Sequence, residues 1–270
     1  MSETISACIT AGNEEKSIRR CLESVRWADE IVVVDSFSRD RTPEICREYT
    51  DLVYQHRWLG YIGQKNLIKG LASCPWILFI DADEEVSPAL RDEILHEFSS
   101  GACRGQVGYE FPRMVWFLGR WITHGDWYPD IKLRLFRKDK GRCEGVEPHD
   151  RILITGPIRR LNGPLFHYTY DSISDQILTL DNFSSISADY KIAAGHRFRL
   201  IDLLFRPLLR FLRGYVARRG FQDGIPGLII AASTAHGVFV KYAKLWELSQ
   251  ARARGGSETA GPSPNGPAAP

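Results

Sequence analysis

The stretch WILFIDADEEVS, residues 76–87, carries an apolar run straight into four carboxylates. Five apolar residues in succession are typical of a strand that is buried on both faces of a parallel sheet. A carboxylate that emerges from such a strand is costly to bury unless it is paired or coordinated. The stretch therefore predicts either an acidic turn that opens a helix or a group of acids that holds a positive partner such as a metal ion.

The residues before this stretch alternate between strand and helix patterns. Short β-branched or apolar runs in residues 4–54 are each followed by a segment whose apolar residues have helical spacing. This alternation predicts a doubly wound α/β sheet, in which ligands bind beyond the carboxyl ends of the strands. Three polar groups follow predicted strands, and we expect them to converge into one site: Thr10 to Glu14, Asp35 with Ser36, and Asp81 to Asp83.

The composition predicts a globular protein with a substantial core. The chain has 270 residues, 44% of them hydrophobic, and its formal net charge of +2 argues against a dedicated nucleic-acid binder. Its six cysteines include no pair with CxxC spacing, which predicts reduced, buried thiols rather than disulfides or a zinc site. No signal peptide and no uninterrupted apolar run of about 20 residues is visible, so the sequence predicts a cytosolic location.

The sequence predicts three successive regions: an α/β domain over residues 1–195, a basic amphipathic helical segment over 196–250 and a disordered tail over 251–270. The middle region carries nine lysine or arginine residues against three aspartate or glutamate residues. Residues 197–220 place apolar residues on one helical face and arginines on another, which is typical of a helix lying on an anionic membrane surface. A helix pair packed against the rest of the protein is the alternative. Residues 225–240 are apolar but interrupted, and too short to span a membrane comfortably.

Among the four acids, Asp81 and Asp83 are the candidates for metal or substrate chemistry. Because they alternate at a strand end, they can point to the same side of the chain. Mg²⁺ and Mn²⁺ take one or two protein carboxylates and fill the remaining positions with water and phosphate oxygens. We interpret Glu84 and Glu85 instead as acids at the start of a helix. A phosphatase that uses the first Asp as a nucleophile is a competing interpretation, disfavoured because the strand is the fourth in the chain.

Three segments in this order resemble the inverting GT-A-fold glycosyltransferases of family 2: SACITAGNEEKSIRRCLESV (6–25), DEIVVVDSFSRDRTPEIC (29–46) and ILFIDADEEVSP (77–88). GYIGQKN (60–66), FLGRWITHGDWYPD (117–130) and LRLFRKDKG (133–141) are similar to the lipopolysaccharide-core β-glucosyltransferase-like branch. The resemblance implies a Rossmann-like, mostly parallel sheet with a C-terminal amphipathic helical appendage. It also implies a nucleotide-sugar half over about residues 1–100 and an acceptor half over about 101–195.

The resemblance assigns a nucleotide-binding role to one group of residues: Thr10, Asn13, Glu14, Asp35, Ser36, Gln64, Lys65 and Asp81. Asp35 would accept a hydrogen bond from the imide N–H of a uracil-type base, and Lys65 would face phosphate. A solvated lysine on a helix surface is the alternative for Lys65. Arg134 and Arg137 would steady the diphosphate unless they are ordinary surface arginines.

A divalent cation, Mg²⁺ or Mn²⁺, is the cofactor that the resemblance implies, with Asp83 as its protein ligand. His149 is the candidate for a further metal or phosphate ligand, although a lone histidine is more often structural. His124 and His167 are weaker candidates for the same role.

Inverting transfer needs a carboxylate that deprotonates the acceptor hydroxyl. The resemblance favours Asp130 as this base, with Asp126 and Asp150 as alternatives. Trp127 lies beside these acids in the sequence, and we expect its indole to serve as a platform for the acceptor sugar.

The resulting functional hypothesis is an inverting transferase that moves a hexose from a nucleotide-diphosphate sugar, such as UDP-glucose, to a membrane-associated glycan or lipid such as lipopolysaccharide core. We expect it to lie in the cytoplasm, peripheral on the inner face of the membrane and in contact with anionic lipid. A polyprenyl-phosphate sugar synthase is one alternative. A nucleotide-sugar-binding membrane protein without turnover is the other.

Overall fold

The computed structural model describes residues 3–146, 149–170 and 172–254. The predicted disordered tail, residues 251–270, lies outside these ranges from residue 255 onward. Its first four residues are helical, so the helix extends further than the sequence predicted.

The described chain divides into two compact units. The first consists of residues 3–114 and 130–168, and the second of residues 115–129 and 169–254. The predicted regions divide the chain after residue 195, whereas this division comes at residue 169 and gives a short mid-chain segment to the second unit.

The first unit is built on a sheet whose parallel half follows the predicted alternation of strand and helix. Its parallel strands are β1 (Ile5–Ala11), β2 (Glu30–Asp35), β3 (Val53–Gln55) and β4 (Trp76–Asp81). The accompanying helices are α1 (Ile18–Ser24), α2 (Thr42–Arg47), α3 (Gly60–Leu71) and α4 (Pro88–Ser99). The strands lie in the order β3-β2-β1-β4, and every pairing among them is parallel. The predicted α/β sheet is therefore confirmed.

Further described strands follow β4 in the chain, and all of them except β9 and β10 extend this sheet. They are β5 (Glu84–Val86), β6 (Gly108–Phe117), β7 (Arg120–Trp121), β8 (Asp130–Arg137), β9 (Arg142–Val146), β10 (His149–Leu153), β11 (Ile158–Arg160) and β12 (Leu165–His167). Strand β8 runs antiparallel to both β4 and β6, and the order continues as β8-β6-β12-β5. Strands β9 and β10 form a separate antiparallel hairpin.

The register of the parallel strands brings their polar ends together. Thr10 of β1 lies opposite Asp81 of β4, and Ala11 of β1 lies opposite Asp35 of β2. We call the ends of β1, β2 and β4, with the turns that follow them, the carboxyl edge. Polar residues separated by dozens of positions in the chain meet there, as the strand pattern predicted.

Strand β4 is buried on both faces of the sheet. Trp76, Leu78 and Ile80 pack into one apolar cluster, while Ile77 and Phe79 pack into another. Each such side chain contributes about 1.5–3 kcal/mol when fully buried. All six cysteines are buried, and none of them forms a disulfide.

The interpretation of Glu84 and Glu85 as the start of a helix is wrong. Both residues belong to β5, where Glu84 pairs with His167 of β12 in an antiparallel register. The helix begins later, because the Ser87 side chain caps it by accepting a hydrogen bond from the Leu90 backbone N–H at 3.1 Å.

The second unit contains the segment 115–129, which includes β7, and three helices. These are α5 (Ile173–Ala193), α6 (Leu200–Leu212) and α7 (Gly224–Arg254). Short 3₁₀ turns lie at Gly125–Trp127 and Gly220–Asp223, and a π-helical turn follows α6 at Arg213–Ala217.

Two buried acids join the segment 115–129 to these helices. The Asp223 carboxylate has no exposed surface and accepts hydrogen bonds from the backbone N–H groups of Thr123 at 3.2 Å and His124 at 2.8 Å. The Asp126 side chain is buried among the guanidinium groups of three arginines, which are described below.

One helix of the described chain, over residues 220–252, is long and apolar enough to cross a membrane by length and composition alone. The sequence had suggested an interrupted apolar stretch too short to span. Within the second unit, Ile230, Tyr242 and Leu245 of α7 are buried in apolar clusters.

A substitution at Gly163 tests how closely this residue packs against α4 in the first unit. A Cβ at this position would lie 2.4 Å from the backbone N and Cα of Leu90, so Gly163→Ala must displace the backbone of the helix. We expect a loss of about 1–3 kcal/mol in the free energy of unfolding, measured by urea denaturation. Gly70→Ala is the matched control, because its Cβ meets nothing within 4 Å and it lies in α3. That variant should gain about 0.5–1 kcal/mol. Equal stability of the two variants would contradict this packing.

Candidate active site

Asp35 lies at the carboxyl edge where the sequence placed it, with no exposed surface. Its carboxylate accepts hydrogen bonds from the Ser38 backbone N–H at 3.0 Å, from the Ser38 hydroxyl and from Gln55 Nε2 at 3.2 Å. The carboxylate is therefore held in one orientation by the loop after β2 and by Gln55 of β3.

The turn after β1 is tied to this same loop. Asn13 has a positive φ of 58°, a conformation that asparagine tolerates better than most residues. Its backbone N–H donates to Ser38 Oγ at 2.7 Å, and its side-chain Oδ1 accepts from the Arg39 N–H at 2.9 Å. The Glu14 N–H donates to Thr42 Oγ1 at 2.8 Å. These bonds fix the two loops against each other.

Helix α3 presents Gln64 and Lys65 to the carboxyl edge, and both are buried. Gln64 Nε2 donates to Ser36 Oγ at 2.9 Å, while its Oε1 has no hydrogen-bond partner among the described residues. Lys65 Nζ lies 3.7 Å from Asp81 Oδ1. The alternative of a solvated lysine on a helix surface is therefore wrong.

Asp81 lies between two cations. Its Oδ2 accepts a hydrogen bond from Arg134 Nη2 at 2.7 Å, and Lys65 faces its other oxygen. Burial by itself raises the pKa of Asp81, but Arg134 and Lys65 outweigh it and hold the pKa well below its usual range. The side chain remains about one-third exposed, at 32%. Asp81 is thus an ionised acceptor that a ligand can reach at neutral pH.

Asp83 has a histidine partner that the sequence ranked low. His167 Nε2 lies 3.0 Å from Asp83 Oδ2, and the Tyr168 N–H donates to the Asp83 carbonyl at 3.0 Å. Strand β12 delivers this histidine by pairing with β5. Among the residues that the structure describes, no three His, Cys, Asp or Glu side chains form a group that could hold a metal ion.

Beyond Asp81, charges of alternating sign continue along the first unit. Glu84 Oε1 accepts hydrogen bonds from Arg134 at 3.2 Å and from Arg113 at 3.3 Å. Arg113 also donates to Asp130 Oδ2 through Nε at 3.0 Å and Nη2 at 2.8 Å. We call the complete series the ion-pair chain; its members are Lys65, Asp81, Arg134, Glu84, Arg113, Asp130 and Lys132.

Glu84 is the centre of the ion-pair chain and has no exposed surface. Its Oε2 accepts the Asp81 backbone N–H at 3.0 Å, so the same side chain fixes the main chain at the end of β4. A buried carboxylate needs such partners because desolvation is otherwise costly.

Asp130, the predicted base, begins β8 at the far end of the ion-pair chain. Arg113 binds one of its oxygens, and Lys132 Nζ lies 3.1 Å from the other. Its side chain is partly exposed, so a ligand can approach it. Its role as the base stays a prediction.

The structure describes the surroundings of only one of the two alternative bases, Asp126 and Asp150. Asp126 belongs to the second unit, where Arg210, Arg213 and Arg218 lie 2.9, 3.4 and 3.5 Å from its carboxylate oxygens. The Asp126 side chain is only 3% exposed and is surrounded by these guanidinium groups, so an acceptor hydroxyl has little access to it, which disfavours Asp126 as the base. The side chain of Asp150 lies outside the described residues, and so does that of His149.

Two further residues with predicted roles, Arg137 and Trp127, make contacts within the fold. Arg137 donates to Glu3 Oε1 and to the Gln106 carbonyl, each at 3.2 Å, so it is not placed to steady a diphosphate beside Asp81. Trp127, in the second unit, packs against Phe117 with ring centroids 5.2 Å apart. Its role as an acceptor platform stays a prediction.

Sequence reasoning missed Arg113, undervalued His167 and misread Glu84. Arg113 has a signal that could have found it, because it interrupts the otherwise apolar run FPRMVWF within β6. Glu84 and His167 have none, since each depends on the pairing of β5 with β12.

The family comparison agrees with this geometry. The family model described as Glycosyl transferase family 2 matches residues 6–160, more than half of the chain. The chain belongs to this family. The matched range includes the whole parallel half of the sheet and every member of the ion-pair chain, and the fold is the expected GT-A fold with C-terminal helices.

Full-length relatives are similar across nearly the whole chain. Lipopolysaccharide core biosynthesis glycosyltransferase LpsC of Rhizobium meliloti (strain 1021) is 34% identical, over 93% of this chain and 94% of that protein. An uncharacterized glycosyltransferase of Rickettsia felis (strain ATCC VR-1525 / URRWXCal2) is 32% identical, over 91% of this chain and 90% of that protein. Among solved structures, glucosyl-3-phosphoglycerate synthase from Mycobacterium tuberculosis in complex with Mg²⁺ and uridine diphosphate is 14% identical. The structural alignment covers 72% of this chain and 80% of that chain with a TM-score of 0.46, a similarity too weak to indicate which ligand this chain binds.

Glu84→Gln tests the centre of the ion-pair chain. The variant keeps the shape of the side chain but leaves Arg113 and Arg134 without their shared carboxylate. We expect a loss of about 3 kcal/mol in the free energy of unfolding, near the low end for a broken buried ion pair because each arginine keeps a second acid. Urea denaturation measures it.

Glu85→Gln is the matched control for this variant. Glu85 is the next residue of β5, is partly exposed, and contacts the Tyr168 hydroxyl at 2.9 Å. The Glu85→Gln substitution should lower the free energy of unfolding by less than about 1 kcal/mol. If Glu84→Gln were as stable as Glu85→Gln, Glu84 would not have the central role assigned to it.

Proposed function

We propose that this glycosyltransferase moves a hexose, with inversion, from a nucleotide-diphosphate sugar to a membrane-associated glycan or lipid acceptor. The observation that carries the proposal is the convergence of Asp35, Asp81 and Asp83 at the carboxyl edge beside the buried cation Lys65. Ligands of open α/β sheets bind at this position. The similarity to LpsC supports an acceptor of the lipopolysaccharide-core type.

The donor half of the proposal rests on the polar groups around Asp35. Its buried carboxylate is fixed at the end of β2, and the neighbouring Ser36 accepts a hydrogen bond from Gln64, whose Oε1 lacks a partner among the described residues. Such acceptors suit the imide N–H and hydroxyl groups of a uridine-type nucleoside. Lys65 and Arg134 are the cations nearest Asp81, and they suit the diphosphate and the sugar that follow the nucleoside in a UDP-hexose.

A divalent cation fits the pair formed by Asp83 and His167. The Asp83 carboxylate is a donor that suits Mg²⁺ or Mn²⁺, with phosphate oxygens and water as the remaining ligands, and the His167 imidazole nitrogen 3.0 Å from it would add a nitrogen donor to a transition-metal ion such as Mn²⁺. When bound there, the cation would offset the negative charge of the departing nucleoside diphosphate. In this proposal His167 replaces His149 as the histidine ligand.

Asp130 is the base in this proposal. As the acceptor oxygen bonds to the anomeric carbon, the bond from that carbon to the diphosphate oxygen breaks, and the hydroxyl proton passes to Asp130. Arg113 fixes the carboxylate through two hydrogen bonds to one oxygen. Because each carboxylate oxygen has two lone pairs, the side chain can still accept a hydrogen bond from the hydroxyl of the sugar acceptor.

One observation favours a second candidate, a polyprenyl-phosphate sugar synthase. Both oxygens of Asp130 already contact cations, Arg113 and Lys132, which compete with an acceptor hydroxyl for the carboxylate. An acceptor that is itself a phosphate needs no general base.

Asp83→Asn tests the donor and metal sites. We expect wild-type protein to bind UDP more tightly with Mn²⁺ than without, by isothermal titration calorimetry. The variant should lose at least about tenfold in affinity in the presence of Mn²⁺, because it lacks the charge that holds the cation. Glu85→Gln, which removes a carboxylate two residues further along in β5, is the control and should bind as wild type does. No effect of Mn²⁺ on wild type would refute the metal-dependent donor site.

Asp130→Asn separates the two candidate reactions. If Asp130 is the base, kcat should fall by about 10²–10⁴-fold with little change in the KM for the donor. Lys132→Gln removes the cation beside Asp130 Oδ1 and should retain far more activity. Wild-type turnover in Asp130→Asn would favour the synthase with a phosphate acceptor. The assay follows UDP release with lipopolysaccharide-core and polyprenyl-phosphate acceptors in parallel.

A further inference from the structure

Helix α6 exposes its apolar side instead of burying it. No residue of α6 is fully buried, and six large apolar side chains are between 53% and 62% exposed. They are Leu200, Ile201, Leu204, Phe205, Leu208 and Leu209, and we call them the apolar arc. At about 100° per residue they cover roughly half of the helix circumference.

The opposite side of α6 faces the rest of the second unit. Leu203 packs against the apolar cluster formed by Ala188, Tyr242 and neighbouring residues. A surface helix of a globular protein normally turns its apolar stripe inward and its polar side outward. Because α6 does the reverse, the residues that the structure describes leave the apolar arc uncovered.

Cations border the apolar arc. Arg206 pairs with Asp202 at 2.5 Å on the same helix. Arg210, Arg213 and Arg218 share the single carboxylate of Asp126, so this group of three retains a net positive charge. Much of the arginine charge that first suggested a membrane contact is therefore partly neutralised within the unit, whereas the apolar arc is uncovered.

We propose that the apolar arc lies in the interfacial region of a lipid bilayer that contains anionic lipid. Within the arc every side chain is aliphatic or phenyl, so it offers no hydrogen-bonding group. Protein interfaces ordinarily carry about one hydrogen bond per 100–200 Å². Acyl chains require none, and lipid phosphates match the bordering arginines. This proposal rests on the proposed function only for the reason that the enzyme binds a membrane, which is to reach a membrane-associated acceptor.

The test is co-sedimentation of the purified full chain with lipid vesicles. The vesicles contain phosphatidylcholine, with or without about 30 mol% phosphatidylglycerol as the anionic lipid. Wild type should bind the anionic vesicles more tightly. Salt should weaken this binding without abolishing it, because apolar insertion persists when charges are screened.

The variant Leu204→Gln/Leu208→Gln should bind at least about tenfold more weakly, since it removes two apolar side chains from the middle of the arc. Ile177→Gln/Leu178→Gln is the matched control. It replaces two apolar residues of α5 that are 47% and 65% exposed and lie outside the arc. This control should bind as wild type does.

Three outcomes would overturn the proposal. They are failure of wild type to bind either vesicle, equal binding of the two double variants, and a wild-type dimer in light scattering that only the α6 variant abolishes. The last would make a second copy the occupant of the arc. Binding of UDP by the α6 variant should equal that of wild type, so failure of the donor site and failure of the membrane surface are separate results.

Discussion

The carboxyl edge of this glycosyltransferase depends on Glu84, a carboxylate with no exposed surface that lies between Arg113 and Arg134. Its second oxygen holds the backbone N–H at the end of β4. An ionised group in this position is stable only because every neighbour compensates its charge. The positions of Asp81 and Asp130 follow from this constraint, since each binds one of the two arginines that Glu84 holds.

The ion-pair chain joins parts of the first unit that are distant in the sequence. Strand β4 contributes Asp81, β5 contributes Glu84, β6 contributes Arg113, and β8 contributes Arg134 and Asp130. Breaking a buried pair costs more than the pair itself contributes, because the remaining charge stays buried. The chain of charges therefore fixes the relative positions of the proposed donor and base groups without large net stabilisation.

The second unit uses buried acids in a comparable way. Asp223 holds the backbone at Thr123 and His124, while Asp126 gathers three arginines. Because these arginines bind an acid within the second unit, the basic composition of the C-terminal sequence is not by itself a sign of an external anionic partner. The feature left for an external partner is the exposed apolar side of α6, and the arginines at its border are already partly engaged.

The sequence by itself determined the parallel half of the sheet, because runs of buried apolar residues alternating with helical segments allow few other arrangements. It also determined that Asp35, Asp81 and Asp83 lie at one edge of the sheet, since parallel strands carry their carboxyl ends to the same edge. Only the tertiary structure decided that Glu84 is a strand residue at the centre of a charge network. The reason is that β5 pairs with β12, about 80 residues later in the chain, and nothing local to Glu84 encodes that partner.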